Sequence, residues 1–558
     1  MMCQERSTSA GFAENVFWFI LLWVPLVRGE IASRLEGTGK LGVEFIPVNA
    51  IIPHQDLRNR ALALSNPRVR DLRKKPHWQA SSIGHPLPDS PHACAVSLPT
   101  WDSIIGYEEG RDKILAKMEM GYPRFFLHPL VKRLFAKATE EIAESGKRAI
   151  VFPHKNAAQG AQRYVERKLA VATRIASYDD GLQALIVPEE AIGVAMEYWR
   201  FAGQIVSSRH AEDLLAEKES EGGSTVILKQ QLAEHTGADL DDHFIFESGM
   251  SGIFSAYKAA LNLFPSKKTL QLEFPYVDAL KVQERFGNGV VFLYDAEGED
   301  FDAAVRRIQA GEFAAVFCEV PSNPLLRTIN IPRLYEACRQ GGVPLVIDDT
   351  VATCVNIDVL QFADLVTTSL TKWVSGGGDV MAGMVTVNEK SPWASDFRTF
   401  FSEETQGGSL LYPADCRALI SNMKDFAKRV KISNGNAELV ADYLAEHPAV
   451  GRVWFPKINT PHEYNLIRRE GGGYGGLVSF TLKQPRKMPR VYDALELCKG
   501  PSLGTNFSLA SPYTMLAHYF ELDWAEACGV SPNLLRLSVG TEDGEVILGA
   551  LARALDNA

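Results

Sequence analysis

The middle of the chain alternates short, uninterrupted apolar runs with segments of helical period. The runs are TLQLEF (269–274), VVFLYD (290–295), AAVFCEVP (314–321), VPLVIDD (343–349) and DLVTTS (364–369). Between and before them, SGIFSAYKAALNLF (251–264) and IPRLYEACRQGG (331–342) carry apolar residues three and four apart. A strand that is apolar throughout is covered on both faces, as parallel strands are when helices lie on either side. The pattern predicts a βαβ succession, and hence an α/β fold with a large, mostly parallel sheet. It begins with a helix over VILKQQLAEHTG (226–237) and a strand that enters a turn at Ser248-Gly249-Met250.

The flanks read differently. YEEGRDKILAKMEM (107–120), LVKRLFAKATEEIAES (130–145) and SSRHAEDLLAEKES (207–220) have helical spacing and strands are few, so 93–223 reads as a helical module or insertion. Residues 1–92 are rich in Pro, Gly and polar residues without a sustained period and read as a loosely ordered extension. Residues 224–405 form the large domain. From 406 to 558 one long helix (413–447), the strands GGLVSFTL and LLRLSVG and a closing helix EVILGALARAL predict a smaller α/β C-terminal domain.

Composition narrows the classes of function. The net charge of −10 and the lack of a Lys/Arg-dense stripe argue against a nucleic-acid partner. The eight cysteines form no C-x-x-C pair and fall in apolar patterns, as reduced thiols do in the cytoplasm, and no His/Cys spacing suggests a metal. VFWFILLWVPLV (16–27) is too short to span a bilayer and follows a segment with one Arg and two Glu, a poor start for a signal peptide. No stable membrane association is expected.

In open parallel sheets, ligands bind beyond the carboxyl ends of the strands. The residues there are Ser248-Gly249-Met250, Tyr276, Asn323, Asp348 and Ser369-Leu370-Thr371-Lys372. They supply a helix N-terminus suited to phosphate, an aromatic face, an amide, a carboxylate and an amine. A cofactor with a phosphate, a pyridine nitrogen and an aldehyde would use all of them, which points to pyridoxal 5'-phosphate (PLP).

FCEVPSNPLLRTINIPRLYEACRQGGVPLVIDDT (317–350) and SLTKWVSGGGDVMAG (369–383) resemble the PLP-dependent trans-sulfuration enzymes of cysteine and methionine metabolism. HPAVGRVWFP, GGYGGLVSF, SLGTNFSLA and LLRLSVGTED extend the resemblance to the C-terminus. HACAVSLPTWDSIIGYEEG (92–110) and MGYPRFF (120–126) are similar to the N-terminal region of fungal cystathionine γ-synthases. The resemblance implies the aspartate-aminotransferase-like fold type I. It also implies γ-replacement on an O-acyl-L-homoserine, with L-cysteine as nucleophile and L-cystathionine as product, in a homodimer or homotetramer. Another thiol or carbon nucleophile, a cystathionine- or methionine-type lyase, and a non-catalytic scaffold are the alternatives.

Carried over by residue, Lys372 is the Schiff-base lysine and proton carrier, and Tyr276 stacks on the ring and acts in proton transfer. Asp348 pairs with the pyridine nitrogen. Ser248, Gly249, Met250, Ser369 and Thr371 hold the phosphate, and Asn323 lies by the ring hydroxyl and the substrate. Arg536 grips the substrate α-carboxylate, with Ser502 beside it. For the arginine that completes the phosphate site, Arg209 is preferred to Tyr122-Pro123-Arg124 because it lies much nearer to Gly249 in the sequence.

Three departures stand out. Gly376-Gly377-Gly378-Asp379 lacks the histidine usual after the lysine, and Asp349 adds a charge beside Asp348. Phe507 stands where related enzymes carry a Glu associated with the amino group of the second substrate. An apolar ring there suggests a less polar acceptor.

Overall fold

A computed structural model describes residues 70–220 and 222–558. The apolar stretch 16–27 and most of the N-terminal extension lie outside the described residues. Among the described residues no helix is long and apolar enough to cross a membrane.

Strands β1 (Pro86–Leu87) and β2 (Ala95–Val96) form a short antiparallel ladder. Strands β3 (Lys147–Phe152), β4 (Arg174–Ser177) and β5 (Gln183–Pro188) form a three-stranded antiparallel sheet with β5 in the centre. The large sheet has seven strands: β6 (His243–Phe246), β7 (Thr269–Leu272), β8 (Val290–Leu293), β9 (Val316–Glu319), β10 (Leu345–Asp348), β11 (Leu365–Thr368) and β12 (Gly383–Val387). Their spatial order is 6-12-11-10-9-7-8, and β12 alone runs against the rest. A five-stranded C-terminal sheet follows, built from β13 (Val450–Trp454), β14 (Leu477–Leu482), β15 (Cys498–Lys499), β16 (Leu509–Pro512) and β17 (Leu535–Ser538). Its order is 13-14-17-16-15, antiparallel except between β15 and β16. The large, mostly parallel sheet and the smaller α/β domain are those the apolar runs predict.

The continuous runs are buried for the reason given. Phe317 and Val346 share a core cluster with the helix Gly249–Leu263, while Val316, Cys318, Leu345 and Ile347 share another with the helices Gly298–Gln309 and Ile331–Gly341. Both faces of β9 and β10 are therefore covered, and each large side chain so buried stabilises the fold by about 1.5–3 kcal/mol. Six of the seven strands point the same way, so their carboxyl ends fall on one edge of the sheet.

Four details depart from the sequence expectation. The 93–223 region contains the sheet β3–β5, because KRAIVF and QALIVP are apolar runs embedded among helical periods. YEEGRDKILAKMEM is not one helix: Trp101–Glu108 ends just before Gly110, whose φ of +67° no helix continues through. The long C-terminal helix is two, Pro413–Asn422 and Phe426–Glu446, joined by a tighter turn at Met423–Asp425. Residues 70–92 are packed in part, with Leu72 and Leu87 buried against Cys498, Phe507 and Leu509.

Candidate active site

One cavity of about 590 Å³ opens at the carboxyl edge of the large sheet. It is lined by Gly249, Met250, Tyr276, Asn323, Asp348, Ser369 and Lys372, by Ser502 and Arg536 of the C-terminal domain, and by Tyr122 and Arg124.

Lys372 follows β11. Its Nζ lies 3.2 Å from the Tyr122 hydroxyl and 3.0 Å from Ser502 Oγ. Gly504, at φ +74°, passes so close that a Cβ there would stand 2.8 Å from Lys372 Cβ, so the loop can close over the lysine only with glycine. Asp348 ends the neighbouring strand β10; its carboxylate accepts from the Thr350 amide (2.8 Å) and the Thr367 hydroxyl (3.1 Å). Burial pushes its pKa up, and these two donors hold it back.

Ser248 caps the helix Gly249–Leu263: its Oγ accepts from the Ser251 amide (3.1 Å) and donates to the Gly203 carbonyl (2.7 Å). The cap leaves the Gly249 and Met250 amides without an acceptor among the described residues, at the positive end of a helix. A Cβ on Gly249 would lie 2.7 Å from Ser369 Cβ, so the glycine keeps this cradle open. Ser369 is held by its amide on the Thr350 hydroxyl (2.8 Å).

Arg536, on β17, is 5% exposed. It donates to Asn323 Oδ1 and to the Ser502 carbonyl, each at 2.8 Å, and its Nε has no partner among the described residues. Burial lowers its pKa to about 10, which still leaves it a cation at neutral pH.

Several sequence-predicted residues are elsewhere or otherwise engaged. Ser248 and Thr371 do not line the cavity; the Thr371 hydroxyl is turned to the Ala382 carbonyl (3.2 Å). Arg209 is not in the site. Two carboxylates hold it away, with Asp415 at 2.9 Å and Asp379 at 3.2 Å. Arg124 lines the cavity instead: its guanidinium donates to the Tyr276 hydroxyl, to Asp278 (2.8 Å) and to the Arg200 carbonyl (2.6 Å). Sequence distance misled here, because the sheet β3–β5 and its helices fill the intervening chain while Tyr122 and Arg124 return to the large domain.

Phe507 does not face the cavity either; it is 5% exposed and packs with Leu87, Cys498 and Leu509. Asp349 turns away and accepts from the Thr368 hydroxyl (2.6 Å). Burial raises its pKa to about 7, so only part of its charge is present at neutral pH. Sequence reasoning missed Glu319, which lines the cavity, accepts from the Tyr276 amide (2.6 Å) and is pushed well above the usual carboxyl range by burial and by Asp348.

The cavity fits PLP on its own chemistry. It offers a strand-end amine, a deep carboxylate, two free helix amides beside a serine, and a buried guanidinium with an unused N–H. Among the described residues no group of His, Cys, Asp and Glu could hold a metal ion.

A family model described as Cys/Met metabolism PLP-dependent enzyme matches residues 222–556, and one described as the fungal trans-sulfuration enzyme N-terminal domain matches 130–207. A cystathionine γ-synthase of Neurospora crassa is 30% identical over 85% of this chain and 98% of its own. An L-2-amino-4-chloropent-4-enoate dechlorinase/desaturase of Streptantibioticus cattleyicolor is 32% identical over 85% of this chain and 98% of its own. Among solved structures, the cystathionine γ-synthase of Xanthomonas oryzae pv. oryzae in complex with cystathionine superposes with a TM-score of 0.53 at 23% identity, covering 72% of this chain and 98% of that one.

Proposed function

The chain belongs to the Cys/Met metabolism PLP-dependent enzymes, and from that premise we propose that it carries out γ-replacement on an O-acyl-L-homoserine, with L-cysteine as nucleophile and L-cystathionine as product. In the net reaction the γ C–O bond breaks, a carboxylate leaves, and the thiol sulfur bonds to the γ carbon as its proton is released.

The observation that carries this reading is the bridge made by Ser502. Its hydroxyl lies 3.0 Å from Lys372 Nζ and its carbonyl accepts from Arg536 at 2.8 Å. A substrate α-carboxylate taken by the free Nε of Arg536 would hold the amino acid with its α carbon toward the Lys372 amine. PLP, when bound, supplies an aldehyde for amines and a ring that accepts the electrons of a broken bond to the α carbon.

The protein's part is positioning and proton transfer. Lys372 Nζ takes the α proton and carries protons along the substrate chain. Tyr122, 3.2 Å from that amine, receives or returns one. Asp348 would hold positive charge deep in the site, and the Gly249 and Met250 amides with Ser369 would hold the phosphate of bound PLP. Arg124 fixes the Tyr276 hydroxyl, and Arg124 is itself fixed by Asp278.

A second reading is favoured by the dechlorinase/desaturase relative: departure of the γ substituent without a nucleophile. One experiment decides. The purified PLP-loaded chain is given O-acetyl- or O-succinyl-L-homoserine with and without L-cysteine. Cystathionine formed only with both supports γ-replacement. 2-Oxobutanoate without cystathionine supports elimination, and no turnover of either ester overturns both. As with related enzymes, a homodimer or homotetramer is proposed, to be read by light scattering.

A further inference from the structure

Two adjacent glutamates end the helix Trp101–Glu108 and fare differently. Glu109 is satisfied: Arg111 donates to it at 2.8 Å and the Tyr519 hydroxyl at 2.7 Å. Glu108 is 9% exposed, lines the active-site cavity, and has no hydrogen-bond donor or ion-pair partner among the described residues. The other carboxyls lining that cavity are all engaged: Asp348 by Thr350 and Thr367, Glu319 by the Tyr276 amide, Glu197 by Lys168 and Arg285, Glu521 by His518 and Lys281.

A carboxyl group out of water and without a donor is costly, unless a ligand supplies the donor. Burial raises the Glu108 pKa to about 8, and Arg200, the charge that pulls it down, is already paired with Asp278 at 3.0 Å. On the same segment Tyr107, Leu115 and Met118 also line the cavity and give the hydrocarbon part of a reactant an apolar bed.

We infer that Glu108 receives the ammonium group of the second reactant, so that the nucleophile is an amine-bearing thiol. The assignment rests on the γ-replacement reading for its substrate class. When the ammonium enters, the Glu108 proton leaves to solvent and a charge-assisted hydrogen bond forms in a site shielded from water. Phe507, which faces the core, leaves this role open.

The test compares cysteamine with 2-mercaptoethanol, thiols of similar size with and without an amine, on the PLP-loaded chain and an O-acyl-L-homoserine. Intrinsic thiol reactivity cancels when the cysteamine-to-mercaptoethanol ratio of kcat/KM is compared between wild type and E108Q. The ratio should fall about tenfold or more in E108Q, mainly through the KM for cysteamine. Glu108→Leu, which removes the buried acid and so should fold at least as well, should behave alike, and Glu108→Asp should retain part of the preference. An unchanged ratio overturns the assignment. If no thiol is used at all, the γ-replacement reading falls, and Glu108 is judged by calorimetric titration with tetramethylammonium, which cannot condense with an aldehyde. At least tenfold tighter binding to wild type than to E108Q upholds the cation site; equal binding rejects it.

Discussion

The Lys372 amine lies 3.2 Å from the Tyr122 hydroxyl, although 250 residues separate the two in the chain. The amine also sits 4.4 Å from the centre of the Tyr122 ring, so the phenol both takes its hydrogen bond and covers it. Tyr122→Phe keeps the ring and removes the proton relay. We expect kcat to fall about 10- to 100-fold with PLP content unchanged. Lys372→Ala should abolish turnover and the visible absorption of lysine-bound PLP. A Tyr122→Phe enzyme with full kcat would remove the phenol from the proton path.

Gly249 offers a steric test of the phosphate cradle. A methyl group there would stand 2.7 Å from Ser369 Cβ, 2.8 Å from its Oγ and 3.1 Å from its Cα, so something must shift to admit it. Gly249→Ala should weaken PLP binding tenfold or more, measured by fluorescence titration, while overpacking lowers stability by only about 1–3 kcal/mol. Tight PLP binding by Gly249→Ala would place the phosphate elsewhere.

What could be read from the sequence divides along physical lines. The strands β7, β9, β10 and β11 were legible because burial on both faces writes itself as an unbroken apolar run, and strand ends inherit their place from that pattern. Lys372, Asp348, Asn323 and Tyr276 could therefore be put in one site, whereas Arg536, on the C-terminal sheet, came only from the family resemblance. The sheet β3–β5 was masked by its setting: AIVF and ALIV are unbroken apolar runs too, but they are short and lie among long segments of helical period. Side-chain direction was not legible at all: Phe507, Asp349 and Thr371 sit in site motifs yet turn away from the cavity, and Arg209 pairs with Asp379 and Asp415. Neutralising partners so far apart in sequence leave no local signal.

Asp349 should give the protein a recognisable pH dependence. Its folded pKa, about 7, lies above the ordinary carboxyl value, so the folded state binds its proton more tightly than the unfolded chain. Its contribution to stability is full below the unfolded pKa near ~4 and is lost as pH rises through the folded value near 7. Across that window it contributes a decline of at most about 1.4 kcal/mol per pH unit. Asp349→Asn, which can still accept from Thr368, should flatten urea-unfolding stability between these pH values. An equally steep decline in the variant would assign it to other groups.

The environment of Phe507 decides whether its difference from related enzymes bears on the nucleophile. The ring is 5% exposed and packs with Leu72, Leu87, Ala95, Cys498 and Leu509, joining residues 72–95 to the C-terminal sheet. A carboxylate placed among these apolar side chains would lack a donor and lose the packing as well. Phe507→Glu should therefore lower stability by about 3–5 kcal/mol. It should bring no gain in KM for L-cysteine, because the new carboxyl would not reach the cavity. Thermal unfolding and steady-state kinetics on the same preparation check both halves. A variant of normal stability with a lower KM for L-cysteine would show that position 507 turns into the cavity and that the acceptor preference is set there.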